Sequence, residues 1–448
     1  MSSKFGGALS VCVFLMAAAA DDGVAAKMED AWRQLETNLL DPKTEILSDA
    51  CAEDDGKPLR MERYLPQPEE IARQFPNPCG WTTLSEDGVL HTVPYLLAAL
   101  ARHRAIGDEA SAALSRRLFR GLKRCVEIPG TGFLARNICP FDMKSFYWNC
   151  SRDQYTLWIY GLWRYARSPL ASAADRRDVA RLMTMVAKFH EDCVVPENQY
   201  SSVRFDGRVG IVCRMWTDDP FKSAHFNRNG AGDVDGVRAH EILRLHEIYA
   251  ATWSLTGDAH WWRRYEAIAE GGLRIAELPL DRNIDGFPSF QSQLSQRLLW
   301  EVDPDPVRKA RYLKLLQRGT SLGDYVYEKG ARRLEEIGWR TAVPCGDWRG
   351  WKMRMLGGRD WFAPGRFISG YAYLLPEWEP QFHATYDGVR NLGEGVLVKM
   401  LCPGFKVPES MLSGFDENVK RCDFAHHCSA GLVYPLLVHW WRLSPESR

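Results

Sequence analysis

Chemically capable side chains collect just before a series of apolar helical segments in this 448-residue chain. Ser85-Glu86-Asp87 precedes the run 91–105, and Ser151-Arg152-Asp153-Gln154 opens the run 154–166. Asp233-Val234-Asp235-Gly236, with His240 close behind, leads into 241–255, and Ser289-Phe290-Gln291 opens 291–301. Gly346-Asp347-Trp348-Arg349-Gly350-Trp351 lies upstream of 367–375, and Cys422-Asp423 with His426-His427-Cys428 precedes 429–443. A Ser or Asp in such a place is an ordinary helix N-cap, worth about 1 kcal/mol, and acids suit the positive end of the helix dipole. Capping needs one short acceptor per helix. It does not need Arg152, Gln154, His240, Trp348, Arg349 and two adjacent histidines beside it.

Two carboxylates facing each other across a cavity can cleave a glycosidic bond: one holds a proton for the leaving oxygen, and the other activates water or attacks the sugar. Burial and mutual repulsion separate their proton affinities. On this reading Asp153 is the general acid, flanked by Arg152 and Gln154, and Asp87 is its partner, with Glu86 beside it. Asp347 stands in reserve as a third catalytic carboxylate, between aromatic neighbours and Arg349. Glu86, Arg152, Gln154, Asp235, His240, Trp348, Arg349, His426 and His427 are the expected substrate-binding residues. Converging helix N-termini and arginines favour an anionic ligand such as a uronate.

Cys422, His426, His427 and Cys428 offer soft metal ligands, but their spacing fits no common zinc pattern, and no metal or other cofactor is expected. The sequence contains no glycine-rich phosphate loop following a strand and no nucleophile elbow. Asp218-Asp219 before Pro220 reads as a turn.

The elements that must position these groups form a repeating pattern. The runs 91–105 and 241–255 are each followed by Gly-Asp (Gly107-Asp108 and Gly257-Asp258) and then by a second helical run. Glycine suits the left-handed stop of the first helix, and aspartate caps the second. Three further hairpins are expected: 154–166 with 175–192, 291–301 with 307–329, and 367–375 with 382–400. The runs 26–40 and 429–443 would join as a sixth. First helices such as YTLWIYGLW and AGLVYPLLVHWW are apolar nearly all round, as in a helix buried on every side. Second helices are amphipathic: Val179, Leu182, Met183 and Val186 share a stripe, with Arg176, Arg177, Asp178 and Arg181 off it. Buried first helices inside half-exposed second helices give an all-α expectation, an (α/α)6 toroid spanning 26–443, with the long connections 128–152 and 194–238 over its mouth.

Composition agrees with a folded soluble protein. Apolar residues make up 46%, and 57 basic residues balance 57 acidic ones. The neutral balance supplies no electrostatic footprint for nucleic acid. The 17 Trp, 16 Tyr and 19 Phe can fill core or stack on sugars. Residues 1–20 read as a signal peptide: Lys4, an apolar stretch over 9–20 too short to span a bilayer comfortably, and Ala18-x-Ala20 as a cleavage site. The expectation is therefore a secreted or periplasmic protein with no membrane span after leader removal. One of the 12 cysteines, Cys12, lies in the leader. The remainder is odd in number, so one or two disulfides would still leave a free thiol.

With this hairpin rhythm and acid-bearing loops before the first helices, the chain resembles the six-hairpin glycosidase superfamily from about residue 26 to 443. The nearest analogy is to the unsaturated glucuronyl and rhamnogalacturonyl hydrolases, which place aspartates at the mouths of successive inner helices, as Asp87 and Asp153 stand here. The resemblance implies hydrolysis of a glycosidic bond in an oligosaccharide or polysaccharide. The alternatives are a polysaccharide lyase on the same toroid, with His240, His426 or His427 taking a proton, and a glycan-binding protein without catalysis. The fold alone does not decide among these chemistries.

Overall fold

The computed structural model describes residues 22–50, 52–54, 57–59, 62–81, 83–217, 237–280, 284, 286–339, 347–350, 353–355, 372–374 and 379–444. These are predominantly helical. The α-helices among them, in chain order, are α1 (Asp22–Gln34), α2 (Pro68–Ala72), α3 (Gly88–Ile106), α4 (Glu109–Glu127), α5 (Arg152–Arg167), α6 (Ala173–Cys193) and α7 (Arg244–Thr256). Then follow α8 (Ala259–Ala276), α9 (Gly286–Val302), α10 (Pro306–Ile337), α11 (Glu379–Met400), α12 (Glu409–Arg421) and α13 (Ser429–Leu443). Strands form three short antiparallel pairs: β1 (Ala52–Asp54) with β2 (Lys57–Leu59), β3 (Ser201–Val203) with β4 (Val209–Arg214), and β5 (Met353–Met355) with β6 (Ala372–Leu374). No described helix is long and apolar enough to cross a membrane.

The Gly-Asp junctions act as the sequence implies. Gly107 and Gly257 take left-handed φ values of 69° and 70°, and their amides close onto His103 and Trp253. Asp108 and Asp258 then accept from the backbone amides of Ser111 and His260, starting α4 and α8. The split between buried and half-buried helices also appears. In α13 every residue from Ser429 to Trp441 is buried. Each fully buried Leu, Val or aromatic side chain there stabilises the fold by about 1.5–3 kcal/mol. In α6 the stripe of Val179, Leu182, Met183 and Val186 is buried, while Arg176, Arg177 and Arg181 are exposed.

The buried helices contact one another in cyclic order. α3 packs on α5, α5 on α7, α7 on α9, α9 on α11, α11 on α13, and α13 back on α3. α4, α6, α8, α10 and α12 pack on α3, α5, α7, α9 and α11 respectively, and α1 packs on α13. The long connections expected over 128–152 and 194–238 contain an irregular segment before α5 and the β3–β4 hairpin; residues 218–236, including Asp218, Asp219, Asp233 and Asp235, lie outside the described residues.

The fifth hairpin differs from expectation. The segment 382–400, expected as its second helix, belongs to α11, the buried first helix. Its partner is α12, which the sequence reading left unassigned. Ala372–Leu374, inside the expected first helix 367–375, is instead strand β6. Met411, Phe415 and Val419 recur every four residues and are buried, so α12 has its own apolar face. Glycines mark where α11 meets α10. A Cβ on Gly395 would stand 2.7 Å from the Tyr327 amide nitrogen and 2.8 Å from the Gly323 carbonyl oxygen. One on Gly330 would stand 2.7 Å from the Gly388 carbonyl oxygen. Gly323 and Gly330 on α10, and Gly388 and Gly395 on α11, are each two helical turns apart and meet in antiparallel order. The helices therefore touch backbone to backbone, and helix propensity is given up for that approach. Gly395→Val should destabilise the protein by about 3 kcal/mol, because neither opposing backbone can yield; urea denaturation measures the loss, and an unchanged midpoint would refute the close crossing.

Candidate functional site

Asp87 stands at the N-cap position of α3, yet its side chain makes no capping hydrogen bond. The Val89 and Leu90 amides that it would cap go instead to the Arg136 carbonyl at 3.0 Å and to Gln154 Oε1, while the Asp49 carboxylate accepts the amides of Glu86 at 2.7 Å and Asp87 at 2.9 Å. The Asp87 carboxylate is thereby released to face α5. Gln154 Nε2 donates to Asp87 Oδ1 at 2.7 Å, while Gln154 Oε1 accepts the Leu90 amide at 3.0 Å. Arg136 reaches Asp87 Oδ1 at 3.3 Å and donates to Ser151 Oγ at 2.6 Å. Ser151 Oγ in turn donates to Asp153 Oδ1, which also accepts the Gln154 amide. Asp87 and Asp153 thus belong to one hydrogen-bonded cluster, built by the mouths of α3 and α5 and the segment before α5.

Asp87 keeps a fifth of its side chain accessible. Burial pushes its carboxyl above the usual aspartate range; the Asp49 and Asp153 carboxylates add to that, against the charges of Arg136 and His91. His91 lies one turn along α3, fully buried, with Nδ1 3.6 Å from Asp49 Oδ1. Glu86 contributes its backbone: its amide binds Asp49 and its carbonyl accepts from Arg136.

A second cluster joins α5 to α7. Arg152 grips Glu241 through Nε at 3.0 Å and Nη2 at 2.8 Å to both carboxylate oxygens, and Arg244 approaches the same carboxylate at 3.5 Å. Burial alone would raise the Glu241 carboxyl, but Arg152, His240 and Arg244 hold it well below its ordinary range. One turn on, Glu247 is fully buried and accepts from Ser295 on α9 at 2.6 Å. Burial pushes its carboxyl up to about 8, against the Ser295 hydrogen bond and the Arg244 charge. On α11, Arg390 donates to Glu394 at 2.8 Å and lies over the Tyr434 ring of α13 at 5.5 Å.

The remaining sequence candidates separate from this set. His240 is buried, and burial pulls its imidazole down to about 4 despite Glu241 beside it. Trp348 is 1% exposed and donates to the Tyr64 carbonyl at 2.6 Å. Arg349 grips Glu70 at 2.5 and 2.6 Å and also pairs with Asp347 at 2.9 Å. Asp347 is 47% exposed. Asp347, Trp348 and Arg349 therefore pin their turn to the segment around 62–75, and no described hydrogen bond or ion pair ties them to Asp87 or Asp153. His426 pairs with Asp423 at 2.7 Å. His427 bonds the Trp339 carbonyl at 3.1 Å, and burial draws its imidazole down to about 4. Asp235 lies outside the described residues.

Sequence reasoning placed Glu241 beside His240 but gave it no role, and missed Asp49, Arg136, Arg244, Glu247, Arg390 and Glu394. For the α7 and α11 residues a signal existed: ionisable groups interrupting apolar helical runs, in LRLHEIY and in the i, i+4 pair of GVRNLGEGV. Asp49 and Arg136 come from irregular segments with no periodicity to read. Compared with known proteins, the chain matches no protein-family model and no curated protein sequence.

Two measurements probe these clusters. Glu241→Leu leaves Arg152 and Arg244 buried without their carboxylate and should cost about 3–5 kcal/mol, read by chemical denaturation; a loss within error would show that the arginines find other partners. Glu247 binds its proton more tightly folded than unfolded, so its contribution is present at acid pH and is lost as pH rises from 4.5 toward about 8. Glu247→Gln keeps the Ser295 hydrogen bond and removes that loss. The variant should melt several degrees above the parent at alkaline pH and lose this advantage under acid conditions; parallel pH–melting curves would refute the burial of an ionising group there.

Proposed function

We propose that this protein is an exported glycoside hydrolase of the six-hairpin superfamily, acting on an oligosaccharide that carries uronic acid. The cyclic contact order of α3, α5, α7, α9, α11 and α13, each backed by an outer helix, supports an (α/α)6 toroid whose inner N-termini open on the substrate. The leader-like residues 1–20 support export to the periplasm or medium. The observation that carries the reading is the released Asp87 carboxylate, joined to Asp153 through Gln154, Ser151 and Arg136.

The roles follow from environment. Asp87 holds its proton more tightly than a free aspartate, which suits the acid that protonates the leaving oxygen. Asp153, its Oδ1 held by Ser151 and the Gln154 amide, serves as the carboxylate that activates water or attacks the sugar. This reverses the order expected from sequence, where Asp153 was the acid. Arg136 steadies both groups. Lyase chemistry is less well supported, because His240 and His427 are held neutral and are weak bases.

The test uses polysaccharide digests read by mass spectrometry, followed by aryl glycosides of the sugar found. Asp153→Asn should lower kcat about a thousandfold on every substrate. Asp87→Asn should lose natural substrates similarly yet retain turnover of dinitrophenyl glycosides, whose leaving group needs no proton. Full activity in both variants sinks the assignment, and products absorbing as unsaturated uronates would make the protein a lyase.

A further inference from the structure

Gln291 lies in the second turn of α9 and is fully buried, yet neither its Nε2 nor its Oε1 has a hydrogen-bond partner among the described residues. The other buried glutamines among those residues, Gln74, Gln154, Gln293 and Gln296, each donate to a neighbour, at 2.7, 2.7, 3.0 and 2.8 Å. A buried amide left unpaired at both ends destabilises the fold. Its presence in a native interior is explained when something outside the chain completes it.

Helix geometry shows what Gln291 faces. Arg152 takes Glu241 where α5 and α7 begin, and Trp163 Nε1 donates to Ser254 Oγ at 2.9 Å near their far ends, so these two helices run the same way. Glu301, near the far end of α9, takes Arg164, near the far end of α5, at 3.3 Å, so α9 runs with them. Ser295 on α9 donates to Glu247 on α7 at 2.6 Å. Gln291 stands four residues before Ser295 on that same face, and Arg244 stands three residues before Glu247. Gln291 and Arg244 therefore share a level in the seam between α7 and α9, about one helical turn nearer the helix starts. Other polar atoms of this seam are idle too: Arg244 Nε and Glu247 Oε1 are buried without hydrogen-bond partners among the described residues. Burial lowers the proton affinity of Arg244, and the charges of Glu241 and Asp153 oppose that, which puts the seam within electrostatic reach of the candidate catalytic cluster.

The idle atoms are mixed in kind. Arg244 Nε and the Gln291 amide nitrogen donate, while Gln291 Oε1 and the Glu247 carboxyl oxygen accept. A bare anion would leave the acceptors unpaired, and a bare cation would leave the donors unpaired. A hydroxyl group donates and accepts at once, and two adjacent hydroxyls match the two ends of one amide. We propose that Gln291, with Arg244 and Glu247 beside it, binds two adjacent hydroxyl groups of the substrate's sugar ring, the amide donating to one and accepting from the other. This rests on the glycoside hydrolase reading and makes Gln291 a specificity-determining residue within it.

Gln291→Met tests the idea, since it keeps an unbranched side chain of similar length and removes both polar atoms. Relieved of an unpaired amide, the free variant should melt about 2 °C above the parent, whereas loss of a glutamine that serves the fold would lower the melting point. Calorimetric titration of both proteins with D-glucose, D-galactose, D-glucuronate, D-galacturonate and acetate supplies the second readout. At least one sugar should saturate the parent with a Kd below about 10 mM, acetate should not, and Gln291→Met should weaken that sugar at least tenfold. A variant that melts no higher than the parent, a variant that binds sugar as the parent does, no saturable binding by any of the four sugars, or equal binding of acetate overturns the proposal. The two readings fail separately. Loss of turnover in Asp87→Asn and Asp153→Asn with unchanged sugar binding in Gln291→Met leaves the hydrolase standing without this contact; full activity in both aspartate variants with sugar binding lost in Gln291→Met leaves the sugar contact standing without that catalytic pair.

Discussion

The junction at Asp49 is the constraint on which the rest depends. Its carboxylate accepts the amides at the mouth of α3, and its carbonyl accepts the Ser429 amide at the start of α13. Ser48 beside it accepts the Ser429 hydroxyl through its carbonyl. One short stretch of irregular chain therefore satisfies the exposed donors of the first and last buried helices and holds them side by side. Beside it, Gln154 and the Arg136 carbonyl take the Leu90 and Val89 amides, which frees Asp87 from the capping role its position would otherwise impose. The contact between α3 and α13 and the placement of Asp87 thus depend on neighbouring hydrogen bonds.

The interior beyond that junction is unusually charged for a helical core. Arg152, Glu241 and Arg244 share a buried cluster, and Arg390 pairs with a fully buried Glu394. Replacing such pairs with well-packed apolar groups is often neutral or stabilising, so stability alone does not account for them. Hydrophobic burial along α3, α5 and α13 supplies the folding free energy. Arg152 and Arg244 open α5 and α7 and Glu241 lies just before α7, whereas Arg390 and Glu394 lie well inside α11.

The sequence made the rhythm legible because Gly107-Asp108 and Gly257-Asp258 carry local, mechanistic signals: a left-handed stop followed by a cap. It also exposed the difference between apolar and amphipathic helices, which is a statement about burial. It misled at α11 in role and not in type: 382–400 was expected as the second helix of its hairpin and is the first, with α12 as the second. It was silent on Asp49 and Arg136 because both act through the folded backbone, far from the residues they serve and outside any period. Half of the acidic cluster was readable from helix mouths, and the half that sets its proton affinity was not.

Asp87 and Asp347 show why. In sequence they are alike, each an acid upstream of an apolar run with polar neighbours. In space Asp347 is nearly half exposed and pairs with Arg349, which is itself committed to Glu70. Its charge is solvated and matched by that arginine. Asp87 is recessed beside two other carboxylates with a single arginine against it. The distinction between a surface ion pair and a recessed carboxyl that burial pushes upward arises from what surrounds each acid. That is supplied by Asp49, Arg136 and Gln154, and by no feature of the acid's own segment.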